Sequence, residues 1–397
     1  MLDLAKLAVK IPGVSEHFHQ EAKASRQRIE QAQLILEKTL LAQQEIIQKQ
    51  KEYENYLNFA SATPLEPLNT CFQIPPAPIS HSVFATDGSQ IAPSHHEIAY
   101  CYLLNIGRVM LHYQQNLHPL LDSIPEIYYK PEDIHIARQW GIRTEDWMGY
   151  QRSVLEIEML SEMACRWVRP PGAHSDPNLA MVDGSLIYWF LDGLCSEARD
   201  RILLPILSYW EDLRQNKIPF LGYISASRSI EAINFLRFTQ CPHPYPNCQA
   251  YCGSPLEKSP CQGIDPLRDA TLWQYLLQPG TRSCLWKSRL KILDLYDEAH
   301  RIYFCYLNVG SEIARVEFPA WVAEDSELLE RSLSILLSQV DKGFGYPIAL
   351  AESHNQAVIR SGDRYSFFNL LEEQLISTGL NNVGTSYKEA RKRRSIA

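Results

Sequence analysis

Two short stretches of this chain repeat one pattern, and that pattern restricts what can be built around it. Val83 to Ile91 reads VFATDGSQI, and Leu179 to Trp189 reads LAMVDGSLIYW. In each, an apolar run with strand character ends in Asp-Gly-Ser, at Asp87-Gly88-Ser89 and at Asp183-Gly184-Ser185. The strand delivers a carboxylate, the glycine admits a second backbone or a phosphate, and the serine bonds locally. Either copy alone reads most simply as a turn, because Asp-Gly between alternating apolar residues is the strongest short-range hairpin signal. Two matching copies, followed later by a histidine-bearing segment, point instead to a metal site built on two strand-borne aspartates.

With 397 residues and 45% hydrophobic content, the chain can bury a core for one large domain or two. A formal charge of −8 counts against a protein that simply coats nucleic acid, since such proteins carry a basic face. It does not count against an enzyme whose carboxylates and bound cations handle phosphate locally. The opening MLDLAKLAVKIPGVSEHF lacks the apolar core and cleavage site of a signal peptide, and no run approaches membrane-spanning length. The expectation is a cytoplasmic protein with no membrane partner. Of the ten cysteines, Cys71, Cys101, Cys165, Cys195, Cys284 and Cys305 sit in or beside apolar stretches and read as buried thiols.

Residues 1–62 read as a helical arm. No Gly or Pro occurs from His17 to Ala60, and Ile29, Ala32, Leu36, Leu40, Ile47, Tyr53 and Leu57 recur at mostly helical steps. Such a helix, straight or bent back, either pairs with a partner helix or packs on its own domain. Pro64, Pro67, Pro75, Pro76 and Pro78 make residues 63–80 a linker or an extended wrap. The main domain then spans 81–385, with a Cys-rich insertion at 240–262 and a basic tail at 386–397. Ala99 to Tyr113 reads as further strand, so strand, Asp-Gly turn, strand, strand forms an antiparallel meander. Helices are expected over 145–168, where Leu155, Met159, Met163 and Trp167 form a stripe, and over 194–216 and 326–339. A short strand is expected over 220–225, and a helix begins near Arg228. The fold class is α/β, a mixed sheet flanked by helices.

The third chemical element is GFGYPIALAESHNQAVIR, Gly343 to Arg360. Its glycines and Pro347 mark a turn into a helix starting near Ile348, with His354 about two turns in and Tyr346 at the mouth. Carboxylates, an imidazole and a phenol are the groups that hold a hard divalent ion beside a phosphodiester. A helix glutamate, Glu156 or Glu158, would complete the cage, and the sequence does not choose between them. Two cations in such a cage could activate a water and stabilise the leaving oxygen of an in-line displacement. The aspartates would be ligands, His354 a ligand or proton carrier, and Tyr346 a phosphate-positioning group.

The two DGS strands, Arg152-x-x-x-Glu156, GYISASRS, PGTRS at Pro279 to Ser283 and the closing YPIALAESH together resemble the NurA nuclease family. The resemblance covers roughly Val83 to Val358. It implies an RNase H-like core and a manganese-dependent nuclease, with magnesium as the alternative ion, that trims DNA ends in double-strand break repair as exonuclease and single-strand endonuclease. It also implies a homodimer working with a hexameric HerA-type ATPase. Asp87 and Asp183 match the family's aspartates, Glu156 best matches its helix glutamate with Glu158 as the fallback, and Tyr346 and His354 match its last motif. Ser225 and Arg228 fall in a polar, basic segment read as DNA contacts.

Cys241, Cys248, Cys252 and Cys261 depart from that family pattern. Four thiols in a proline-rich loop suit a structural zinc site, an iron–sulfur cluster needs the same ligands, and a metal-free loop is the bland alternative. The tail from Lys388 reads as a disordered end or as extra phosphate attraction. Two other functions compete with the nuclease. One is a non-catalytic adaptor that guides DNA into an ATPase ring; the other is a metal-dependent phosphodiesterase acting on another substrate.

Overall fold

The computed structural model describes residues 3–379 apart from 9, 95–96, 98, 171–173 and 253–258, so the basic tail lies outside the described residues. Contacts divide the chain into two units. Pro75–Gly222 with Trp321–Ala397 form one, here the aspartate unit; Met1–Ile74 with Tyr223–Ala320 form the other, the cysteine unit.

The aspartate unit is organised by strand His81–Ile91, which pairs antiparallel with Tyr102–Tyr113, itself antiparallel to Leu120–Tyr128. The meander is as expected, but its first turn is not the Asp-Gly pair. Asp87 and Gly88 lie within the ladder, opposite Gly107 and Ile106. Cross-strand pairing over eleven residues overrides the local turn preference of Asp-Gly. Helix Thr144–Val168 then crosses back to strand Asn178–Asp183, which runs parallel to His81–Ile91. Helix Ser196–Gln215 follows and leads to Phe220–Ile224, beside Asn178–Asp183 in the sheet. Three antiparallel strands, a crossover helix and a parallel strand make the mixed, helix-flanked sheet expected.

Helix Thr144–Val168 buries Val154, Ile157, Leu160 and Ala164, whereas Leu155 and Met159 of the expected stripe are only half-buried. The helix packs on both the sheet and helix Ser196–Gln215, so its covered face is wider than one stripe. Helices Ser326–Lys342, Ile348–Ala357 and Ser361–Ser377 close the unit, and Phe368 of the last packs with Ile91 and Leu103.

In the cysteine unit, the long N-terminal helix runs Ile11–Leu41, breaks at Ala42 and resumes as Gln43–Tyr53. Ile29, Ala32, Ile35 and Leu36 are buried in a core with Phe235, Trp273, Trp286 and Tyr306, whereas Ile11, Val14 and Phe18 are exposed. The second half of the helix therefore packs on its own unit. The proline-rich stretch is an extended wrap rather than a free linker. Thr63–Pro64 pairs with Trp286–Lys287, and Phe72–Gln73 with Thr281–Arg282. Hairpin Ile302–Asn308 and Ile313–Pro319 forms the centre of this unit's sheet. Cys71 and Cys195 are exposed, contrary to the buried reading, while Cys101, Cys165, Cys284 and Cys305 are buried.

Candidate functional site

The two aspartates are brought together by strand register. Parallel pairing ends at Thr86 opposite Val182, so the next residues, Asp87 and Asp183, stand at the same step on neighbouring strands. Alternation places Asp87 on the face of its cross-strand partner Gly107. A side chain at Gly107 would run into Ser353 O and Ala357 N, so helix Ile348–Ala357 lies against the strand there because nothing fills the space. Asn105 Nδ2 donates to Ala357 O at 2.8 Å, and Ser89 Oγ donates to the same oxygen. Fixed in this way, the helix sets His354 Nδ1 2.7 Å from Asp87 Oδ2. The other Asp87 oxygen accepts the Gly88 N–H at 2.8 Å.

Glu156 arrives from the opposite face. Gly88 points toward helix Thr144–Val168, and a Cβ on it would sit 2.5 Å from Glu156 Oε1 and 2.7 Å from Arg152 Cγ. Thr86 Oγ1 donates to the Glu156 carbonyl at 2.8 Å and fixes that helix turn on the strand. Glycine at 88 thus lets a carboxylate come close over the strand, which is the approach its residue type permits.

The electrostatics follow from this crowding. Burial pushes Glu156 up to about 7; Arg152 opposes the shift, Asp87 and Asp183 add to it, and the Gly88 N–H opposes it. Arg152 Nε stands 3.2 Å from Glu156 Oε1 but makes no aligned hydrogen bond. Asp183 is also raised, first by burial and then by Asp87, while a hydrogen bond with the Tyr346 hydroxyl and the His354 ring lower it. Three carboxylates therefore share a small volume with one guanidinium and one imidazole. Hard oxygen donors in net negative surplus fit a divalent cation. Among the described residues no three His, Cys, Asp or Glu side chains are already grouped as a cage, so an ion would be held only if the carboxylates drew closer together.

Arg152, Glu156 and Asp183 line an open cleft of about 440 Å³ with Tyr188, Trp189 and Phe190. Trp189 is 55% exposed, and Phe190 stacks on Tyr150 with ring centroids 4.3 Å apart. Sequence reading passes over Trp189 because it ends an apolar run that looks like core. It also passes over Gly107, although a glycine inside a strand is itself a signal of close approach.

Glu158 is turned elsewhere. It hydrogen-bonds the Tyr209 hydroxyl on helix Ser196–Gln215, as helix geometry requires of a residue two positions from Glu156. In the cysteine unit, Ser225 Oγ and the Ala226 N–H are bonded to Glu312 Oε2 at 2.8 and 2.9 Å. Arg228 is exposed and makes no ion pair among the described residues. Cys241, Cys248, Cys252 and Cys261 line a single cavity of that unit.

No curated protein matches the chain. A crystal structure of the NurA nuclease from Sulfolobus solfataricus is similar to it at 14% identity with a TM-score of 0.53, covering 95% of this chain and 98% of that one. At that identity the likeness speaks for the fold alone. The NurA domain family matches residues 81–359. That segment contains both DGS strands, the carboxylate helix and the histidine helix, and the chain belongs to the NurA domain family.

Proposed function

We propose that the chain is a metal-dependent DNA nuclease that hydrolyses phosphodiesters at the Asp87–Glu156–Asp183 cluster. The observation that carries this reading is the carboxylate surplus: Glu156 is pushed up to about 7 with both aspartates among the causes. Carboxylates crowded at a partly covered site repel one another unless a cation joins them. Asp87, Glu156, Asp183 and His354 would hold divalent ions, two in the full site. Such ions supply a Lewis acid for phosphate oxygens and neutralise charge in an in-line displacement.

The chain's own groups do the rest. Asp87 is oriented by the Gly88 N–H and by His354, whose Nδ1 is committed to that carboxylate. This leaves Nε2 as the ring atom that would either hold an ion or carry a proton. Tyr346 holds Asp183 and presents a phenol for a phosphate oxygen. Arg152 partly neutralises Glu156, and Trp189 offers a face on which a nucleobase can stack. Ser225 and Arg228 are proposed DNA contacts, with Arg228 the freer of the two.

The finer role follows from the resemblance of the motifs. It is an end-processing exonuclease and single-strand endonuclease in double-strand break repair, using Mn2+. It would act as a cytoplasmic homodimer with a HerA-type hexameric ATPase. The test is cleavage of end-labelled single- and double-stranded DNA with manganese, magnesium or chelator, beside Asp87→Ala and Asp183→Ala. Manganese-dependent cleavage absent from both variants supports the reading. Cleavage that survives both variants, or none with the ATPase added, overturns it.

A further inference from the structure

We propose that Cys241, Cys248, Cys252 and Cys261 bind one thiophilic divalent ion of the zinc class, a structural centre that fastens the 240–262 insertion to its unit. This stands apart from the nuclease reading. The four residues come from three separate local structures. Cys241 follows helix Glu231–Gln240 directly, Cys248 and Cys252 begin and cap the short helix Cys248–Tyr251, and Cys261 sits in the turn Pro260–Gln262. Cys248 and Cys252 are four apart with Cys252 N bonded to Cys248 O at 3.0 Å, so their side chains emerge on one side. Cys248 is within electrostatic reach of both Cys252 and Cys261. All four line one cavity of about 20 Å³.

A second, independent observation is the side chain of Arg237, which lines the same cavity and is 7% exposed. Its Nη2 is 3.5 Å from Cys261 Sγ, its Nη1 donates to the Asn234 amide oxygen at 3.3 Å, and its guanidinium lies over the Phe59 ring at 3.8 Å. Its Nε has no partner, and among the described residues no carboxylate pairs with it. A buried guanidinium without an anion is expensive. Four thiolates around a divalent ion carry two net negative charges and supply the missing partner. Each thiol gives its proton to solvent as its sulfur–metal bond forms, with no change of oxidation state. Among the described residues the thiols do not yet meet at one point, so binding requires them to draw together on the ion.

The test is metal analysis of the full chain purified without chelator from zinc-replete cells, with zinc and iron measured together. About one zinc per chain is expected, falling below about a tenth in Cys252→Ser and Cys261→Ser and unchanged in Cys195→Ser. Because a variant can fail by misfolding, wild-type protein exchanged with cobalt is examined as well. Tetrahedral tetrathiolate bands in its visible spectrum support the site. Zinc retained in both serine variants overturns the proposal, as does native protein free of metal whose four thiols react with a thiol reagent. Iron with the visible absorbance of a cluster overturns the single-ion assignment.

Discussion

Two carboxylates, the partly covered Glu156 in the aspartate unit and the fully buried Asp269 in the cysteine unit, are both pushed well above the ordinary range, to about 7 and about 6. Burial is the first cause in each, and there the likeness ends. Asp269 accepts the N–H groups of Ala232 and Ile233 at 3.1 and 2.8 Å and the Tyr306 hydroxyl at 2.6 Å. It caps the first turn of helix Glu231–Gln240 and is fully buried. Nearby, Arg315 bonds both Glu231 and Glu317 at 2.8 Å, so those two carboxylates share one buried guanidinium while the Asp269 oxygens are filled by amide and phenol donors. Glu156 lies on an open cleft, opposed by one poorly aligned guanidinium and crowded by two more carboxylates. The lesson is that a perturbed carboxylate marks a site of chemistry only when its lone pairs and charge are left unsatisfied.

That contrast can be broken or sharpened by mutation. The largest effect is expected from Asp183→Ala, which should lower cleavage at least about 1000-fold, roughly 4 kcal/mol of barrier, while leaving the melting temperature unchanged or raised. Asp269→Ala should do the reverse. It strands two buried amides and a phenol, costs roughly 3 kcal/mol in urea unfolding, and leaves the catalytic groups in place. A large loss of stability in the first variant, or none in the second, would dissolve the distinction.

The pH dependence separates the two groups further. Both carboxylates hold protons more tightly folded than unfolded, so their contribution to stability is greatest in acid and is lost as pH rises. For Asp269 the loss runs from 3.8 to about 6, and for Glu156 from 4.5 to about 7. Chelated protein should therefore lose stability across both windows. Glu156→Gln or added Mn2+ should flatten the part between about 6 and 7, whereas Asp269→Asn should flatten only the lower part. Unfolding free energies measured at stepped pH check this. Gly107→Ala should cost about 1–3 kcal/mol by forcing the histidine helix off the strand, and it should weaken cleavage through displaced His354. Trp189→Ala is the smallest change, raising KM for single-stranded DNA about fivefold, near 1 kcal/mol of lost stacking, with kcat little altered.

Much of the candidate site is legible in the sequence, because its proposed ligands are carried by short, unusual local patterns. Asp87-Gly88-Ser89, Asp183-Gly184-Ser185 and the turn into the His354 helix each declare themselves within a dozen residues. Which glutamate joins them was not legible, since Glu156 and Glu158 differ only in helix phase against a sheet whose position the sequence does not give. In the structure Gly88 lies beneath Glu156 and Tyr209 is bonded to Glu158, which favours Glu156 as the proposed ligand. The Asp-Gly turn misled for the same reason, because the ladder opposite it is set by residues 20 positions away. The buried network around Arg315 and Asp269 was invisible, since its members are spread from Ser229 to Glu317 with no motif among them.

Arg152 and His354 leave the three carboxylates Asp87, Glu156 and Asp183 incompletely neutralised, whereas Asp269 is satisfied by donors of its own unit. The most direct measurement is the melting temperature under Mn2+ titration near pH 7.5, for wild type, Asp183→Ala and Asp269→Asn. A saturable rise is expected in wild type and in Asp269→Asn, and none in Asp183→Ala. An equal rise in all three, or no rise in wild type, would contradict it.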